Sequence, residues 1–299
     1  MTIDLMANTH SSSTDPERHN ALLRGWLAPR LPEAAMAWLD QQTALIAGGA
    51  RRQLGIAIGL APRKVGKADL NLTPQEMEAG RAVRPDLDAT GWSVDQAARI
   101  LLVLACYTGN DEDFATELHR FFSTAEIGEQ IALLRGLPLL PAPERLLPTA
   151  TEGVRSAMQP IFEAVAHRNP YPRERFSEAQ WNQMVVKTLF IGSRLAPIQG
   201  LDARRNGELA EMLIDYAAER RAAGRTISPE LWRCVAPFAT DAEVALLAGI
   251  LRDGTEAEKA GAALALAACP RGSAQEALAS AGELAAAIQA GRLTWDVVA

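Results

Sequence analysis

Thr240–Cys269 reads TDAEVALLAGILRDGTEAEKAGAALALAAC. Twice in this stretch a threonine stands three residues before a glutamate, at Thr240–Glu243 and Thr255–Glu258, and each pair opens an Ala/Leu-rich run. A hydroxyl at a helix N-cap accepts from the backbone N–H three residues on, and the glutamate returns a bond to the cap's own N–H. Gly254 marks a stop between the runs, and a further box at Ser273–Glu276 follows. Short helices joined by tight turns pack as antiparallel pairs, and small alanine faces let them approach closely. The spacing predicts an all-α fold of stacked antiparallel helix pairs, either a HEAT- or armadillo-like α-solenoid or an irregular helical bundle. No fixed signature recurs that would count repeats.

The same signals run outward along the chain. Boxes stand at Thr73–Glu76 (with Pro74 at the first helical position), Ser93–Gln96, Ser123–Glu126, Thr149–Glu152 and Ser177–Gln180, and cap-plus-proline starts at Asp15-Pro16 and Ser228-Pro229. Gly48, Gly109, Gly136, Gly192, Gly224 and Gly291 follow apolar-periodic runs as stops. β-Branched clusters with period-two alternation are scarce. Two stretches read as connectors: the basic Pro62–Asn71, and Leu137–Pro148 with its four prolines. The expected organisation is a disordered tail over residues 1–14, a helical subdomain over 15–136, a Pro-rich connector over 137–148 and a second helical subdomain over 149–299.

Composition narrows the function. The 299 residues carry a net charge of −6, with 48% hydrophobic and 5% aromatic residues. That is ample material for a large core. A weakly acidic chain is a poor general ligand for nucleic acid or an anionic membrane surface. Three scattered cysteines, Cys106, Cys234 and Cys269, suit a reducing compartment. No apolar run reaches the roughly 20 residues of a membrane span, and residues 1–20 lack the basic start and apolar middle of a signal peptide. The expectation is a cytoplasmic protein that meets the inner membrane only through a partner.

No phosphate loop, His-Glu-x-x-His, Cys-x-x-Cys or nucleophile-elbow serine occurs. Four histidines, two of them at the N-terminus, give no reason to expect a metal or cofactor. His167 reads as a cation at a helix end, where the dipole favours it. Residues 167–233 differ from the rest: eleven basic residues stand against eight acidic ones. A helix there, Trp181–Phe190, is apolar around nearly its whole circumference, with Gln183 and Lys187 sharing a face. Lys187 either pairs with a neighbouring helix or belongs to a polar row facing a cavity. A long non-helical strip, 193–206, follows, and such strips are more often functional than idle. Asn206 caps the next helix, whose Leu209, Met212, Leu213, Tyr216 and Ala217 share a stripe. Glu211, Asp215 and Glu219 form a carboxylate row, either solvated or neutralised by the loop arginines.

Asn169-Pro170-Tyr171, Trp181–Lys187, Pro197–Asp202, Asn206, Leu209-Ala210, Asp215-Tyr216-Ala217 with Glu219-Arg220, and Ser228–Trp232 together resemble the EboA-domain family, most specifically over residues 165–235. Ala196 and Ala218 stand near places where many members carry histidine, which speaks against a catalytic histidine there. The resemblance implies an accessory protein of a secondary-metabolite precursor processing or export cluster. Its partners would be a membrane prenyltransferase-like protein, a metal-dependent hydrolase, or a small metabolite. Two readings follow. In the first, a non-enzymatic interaction module binds a metabolite or partner enzyme in a polar groove lined by Asn169, Tyr171, Trp181, Asn182, Gln183, Lys187, Gln199, Asp202, Arg205, Asn206, Asp215, Tyr216 and Glu219. In the second, a carboxylate/lysine enzyme acts on an anionic metabolite, with Asp202, Asp215 or Glu219 as base and Lys187 and Arg205 holding the substrate.

Overall fold

A computed structural model describes residues 15–298; the tail expected over residues 1–14 lies outside them. Among the described residues the fold is all-α, with no strand and a single isolated bridge between Asp69 and Ser93. The chain divides into two compact units, the first ending at Gly153 and the second beginning at Val154.

The first unit holds α1 (Pro16–Leu27), α2 (Glu33–Ala47), α3 (Arg51–Val65), α4 (Pro74–Val83), α5 (Val94–Leu104), α6 (Asp111–Phe122) and α7 (Ile127–Gly136); α8 (Leu147–Arg155) runs across the division. The apolar run around Ile100 makes α5 the central rod, with α1, α2, α3 and α7 against it. Even its charges are inside: Arg99 pairs with Asp95 at 3.0 Å and donates to the carbonyls of Ile58 and Gly128, so neither ion is left bare.

The second unit holds α9 (Gln159–Ala166), α10 (Tyr171–Arg175), α11 (Glu178–Phe190), α12 (Gly207–Ala222), α13 (Leu231–Val235), α14 (Asp241–Asp253), α15 (Glu256–Ala268), α16 (Gly272–Ala279), α17 (Gly282–Gln289) and α18 (Trp295–Val298). The alanine-rich α15 is its buried centre, from Gly261 to Leu266, with α13, α14 and α16 packed on it. Small residues make that closeness possible. A Cβ on Gly261 would stand 2.6 Å from the Cβ of Pro229 and 3.1 Å from its carbonyl oxygen. Gly261→Ala is therefore expected to push the Pro229 segment off α15 and lower stability by about 1–3 kcal/mol in a urea titration. An unchanged midpoint would mean that the segment yields freely.

Capping boxes open α4, α5, α11, α14 and α15 as the spacing predicts. Four expected starts fall elsewhere. Ser123 closes α6, its N–H bonding the His119 carbonyl, and α7 opens one turn later on a Glu126–Glu129 box. Thr149 is buried inside α8, because the chain enters that helix straight from the 3-10 turn Pro143–Leu146. Arg271, not Ser273, precedes α16, and the Ser273 hydroxyl bonds Asp241 instead. Glu230, not Ser228, precedes α13. Pro62 lies within α3, so the first connector begins only at Gly66. Residues 137–148 carry two 3-10 turns, and Leu137, Leu139, Leu140 and Leu146 are fully buried.

Candidate functional site

The strip between α11 and α12 sits on elements that local chemistry defines well. Ser177 and Gln180 cap α11 reciprocally, and its far end closes in a Schellman turn: Gly192 N–H bonds Leu189 O and Ser193 N–H bonds Thr188 O. Asn206 caps α12 through the Leu209 N–H at 2.8 Å.

Between these ends the strip is tied back at several points. Arg168 N–H donates to Pro197 O at 2.9 Å. Both oxygens of Glu230, itself only 2% exposed, accept backbone N–H groups of the strip, from Leu195 at 2.9 Å and Ala196 at 2.7 Å. The side-chain amides of Asn182 and Asn206 bond each other reciprocally, at 2.9 and 3.2 Å. Arg204 donates to the Pro172 and Arg173 carbonyls and stacks its guanidinium 4.7 Å from the centre of the buried Trp181 ring. Arg233 grips Asp202 with two bonds of 2.8 Å, which hold that carboxyl below its ordinary range. Arg205 donates to the Asp202 and Arg233 carbonyls. The Ser193 hydroxyl donates to Glu163 at 2.5 Å.

This network takes up much of the polar row expected to line a groove. Asn169 bonds Ala164 O and the Tyr171 N–H, and the buried Tyr171 ring meets Phe176 edge-on. Lys187 meets no carboxylate among the described residues. Its ammonium donates to Val154 O at 2.6 Å and Ser156 O at 2.8 Å and lies 5.4 Å from the Phe162 ring centre, and burial lowers its pKa. Gln199 and Arg205 are half-buried on the strip. Tyr216 is half-buried too, its hydroxyl donating to Leu189 O. Gln183 is exposed, one turn before the half-buried Lys187. Glu211, Asp215 and Glu219 are exposed along α12; the loop arginines bond elsewhere and do not neutralise them.

Glu230, Arg204, Arg233, Glu163 and Ser193 are the residues sequence reasoning missed. Glu230 carried a signal: an acid between Pro229 and Leu231-Trp232 has no solvated neighbour to keep it outside. Cys234 is buried, which pushes its thiol up to about 12 and leaves no nucleophile there. Cys269 is a buried thiol as well. Among the described residues no cluster could hold a metal, and no helix is long and apolar enough to cross a membrane.

His167 is not the helix-end cation its position suggests. Burial lowers its pKa, and its Nε2 faces Arg194 O at 2.9 Å. His19 is held alike, with Nδ1 at 2.7 Å from Leu139 O and burial again the main cause. In the unfolded chain each titrates near 6.5. Below that pH the unfolded state takes up protons that the fold refuses, so stability present at neutral pH is lost on acidification, by at most about 1.4 kcal/mol per pH unit and histidine. Melting temperature is expected to fall between pH 7 and 5, and to fall less in a His19→Asn/His167→Gln variant. Parallel pH profiles for the two proteins would refute it.

Fold and site together define an all-helical protein built around a buttressed polar strip between two helices. The chain belongs to the EboA family: the family model described as "Metabolite traffic protein EboA" matches residues 19–236. Comparison with the curated proteins and with the solved structures gives no match. The family description accords with a metabolite-associated accessory role.

Proposed function

We propose that this protein is a non-catalytic member of a metabolite-handling system, which holds a small metabolite and presents it to, or receives it from, a partner protein of the same cluster. One observation carries the reading. The groups an enzyme would need to converge are each engaged separately: Lys187 by the Val154 and Ser156 carbonyls, Asp202 by Arg233, with Asp215 and Glu219 on the exposed side of α12. General acid–base work needs such groups within hydrogen-bonding reach of one reacting atom. A binding protein needs instead a surface held in one shape before its ligand arrives, and the tied-back strip supplies that. The exposed Gln183 and Phe190 and the carboxylate row of α12 are parts of this segment that a partner can touch.

The test is retention from a small-molecule extract. The purified chain is incubated with extract of the producing cells and passed through gel filtration, and the bound fraction is read by mass spectrometry. A compound retained unchanged, near one per chain, is the expected result. A compound chemically altered by the chain, or none retained, overturns the reading.

A further inference from the structure

The second unit contains a pocket distinct from the strip. It has a volume of about 240 Å³ and lies among Arg221, Arg225, Ile227, Trp232, Ile250 and Glu258. That is below the about 300–1,000 Å³ of drug-sized ligand sites and suits a smaller molecule. Local sequence explains how two arginines come to its mouth. α12 ends in a Schellman turn, with Gly224 N–H on Arg221 O at 3.0 Å and Arg225 N–H on Arg220 O at 2.9 Å. The turn needs a left-handed residue, and Gly224 supplies it at φ +66°. The chain thus folds back on the helix end and brings Arg225 to the same pocket as Arg221. Arg220 fixes the turn from the other side, donating to Thr226 O at 2.6 Å and lying over the Tyr216 ring. Pro229, pressed on Gly261, anchors the following wall to α15.

Charge makes the pocket particular. The Arg221 and Arg225 guanidinium groups have no hydrogen-bond or ion-pair partner among the described residues, although the chain as a whole is acidic. Glu258, the acid in the lining, is occupied: one of its oxygens accepts the Thr255 N–H and hydroxyl at 2.8 Å each, capping α15, and these bonds lower its pKa. Trp232 is 3% exposed and forms part of the lining. Ile227 and Ile250 complete an apolar wall. The contrast is with the cleft of the first unit among Ile46, Leu54, Val103 and Phe114, whose acids Asp113 and Glu117 already bond Asn110 and Arg120.

We infer that this pocket takes a small organic anion, its carboxylate or phosphate on Arg221 and Arg225 and its apolar body against Ile227, Trp232 and Ile250. The inference rests on the metabolite-binding reading above, but it puts the metabolite in this pocket, with a chemical class, and leaves the tied-back strip to the partner. A guanidinium holds two oxygens of a carboxylate or phosphate with parallel N–H bonds, and an apolar body on the wall adds a second requirement.

Calorimetric titration of the full chain tests it with four probes: 3-phenylpropionate and phenyl phosphate as the two anion arms, 3-phenylpropan-1-ol as the uncharged match, and inorganic phosphate as the headgroup alone. One or both aromatic anions are expected to bind at least about tenfold more tightly than the alcohol and the inorganic ion. An Arg221→Ala/Arg225→Ala variant is expected to lose at least about tenfold more affinity for the anion with circular dichroism and melting temperature unchanged, since both side chains are exposed. The alcohol binding equally, inorganic phosphate binding equally, the variant binding like the parent, or no probe binding would each overturn the assignment. The extract experiment separates the two ideas. A variant that retains the parent's metabolite sinks the pocket and keeps the binding role, whereas a parent that retains nothing sinks the role itself.

Discussion

Replacing Glu230 with alanine is expected to destabilise the protein by about 3–5 kcal/mol and to free the strip that lies between α11 and α12. The carboxylate is 2% exposed and receives two backbone donors, Leu195 N–H and Ala196 N–H. A hydrogen bond to a charged group contributes about 1.5–3 kcal/mol, and a buried donor left without a partner costs about 1–3 kcal/mol. Alanine removes both acceptors at once and puts nothing in their place. For a unit of this size each kcal/mol moves the melting temperature by about 2–4 °C, so a fall of about 6–20 °C is expected. Glu230→Gln keeps one acceptor but turns an N–H₂ toward the other donor, and an intermediate loss of about 2 kcal/mol is expected. Amide exchange separates this from general loosening. Leu195 and Ala196 should lose protection in Glu230→Gln, while the amides of α15 keep theirs. Uniform loss across the second unit would mean that Glu230 holds the unit and not the strip.

The same residue shows what could be read from the chain and what could not. Helix α12 was legible because its cap Asn206, its apolar stripe and its terminal arginines all act within a few residues. The boxes at Thr240 and Thr255 were legible for the same reason. Ser123 misled because a hydroxyl three residues before an acid suits a helix end as well as a start; only the Phe122 packing beneath it decides which. At the site, sequence named Asn182 and Asn206 without joining them, since 24 residues separate the two amides. Glu230 stands 35 residues from its donor at Leu195, and Arg233 stands 31 from Asp202. Charge pattern says that such groups must find partners, but the partner is chosen by how helices pack. Lys187 is the clearest case: a carboxylate was the natural expectation, and two backbone carbonyls answered.

Trp181→Ala is expected to cost about 3–5 kcal/mol, whereas Trp181→Phe should cost about 1 kcal/mol or less, and the difference lies in one nitrogen. The ring is fully buried, so truncation to alanine leaves a large cavity. Its indole N–H is buried as well and has no partner among the described residues. Phenylalanine keeps most of the ring while removing a donor whose burial costs about 1–3 kcal/mol, so the lost volume and the relieved donor oppose each other. The Arg204 stack complicates the ledger in a way a double-mutant cycle resolves. Arg204→Ala loses the ring contact and also its bonds to the Pro172 and Arg173 carbonyls, so its own cost exceeds the coupling. The coupling between Trp181 and Arg204 alone is expected near 1–2 kcal/mol, as befits a cation–π pair partly withdrawn from water. Equal losses for Trp181→Phe and Trp181→Ala in urea unfolding would show that the N–H is satisfied in solution. The donor would then be one more of the ties that hold the strip, and the buried orphan would vanish from the account.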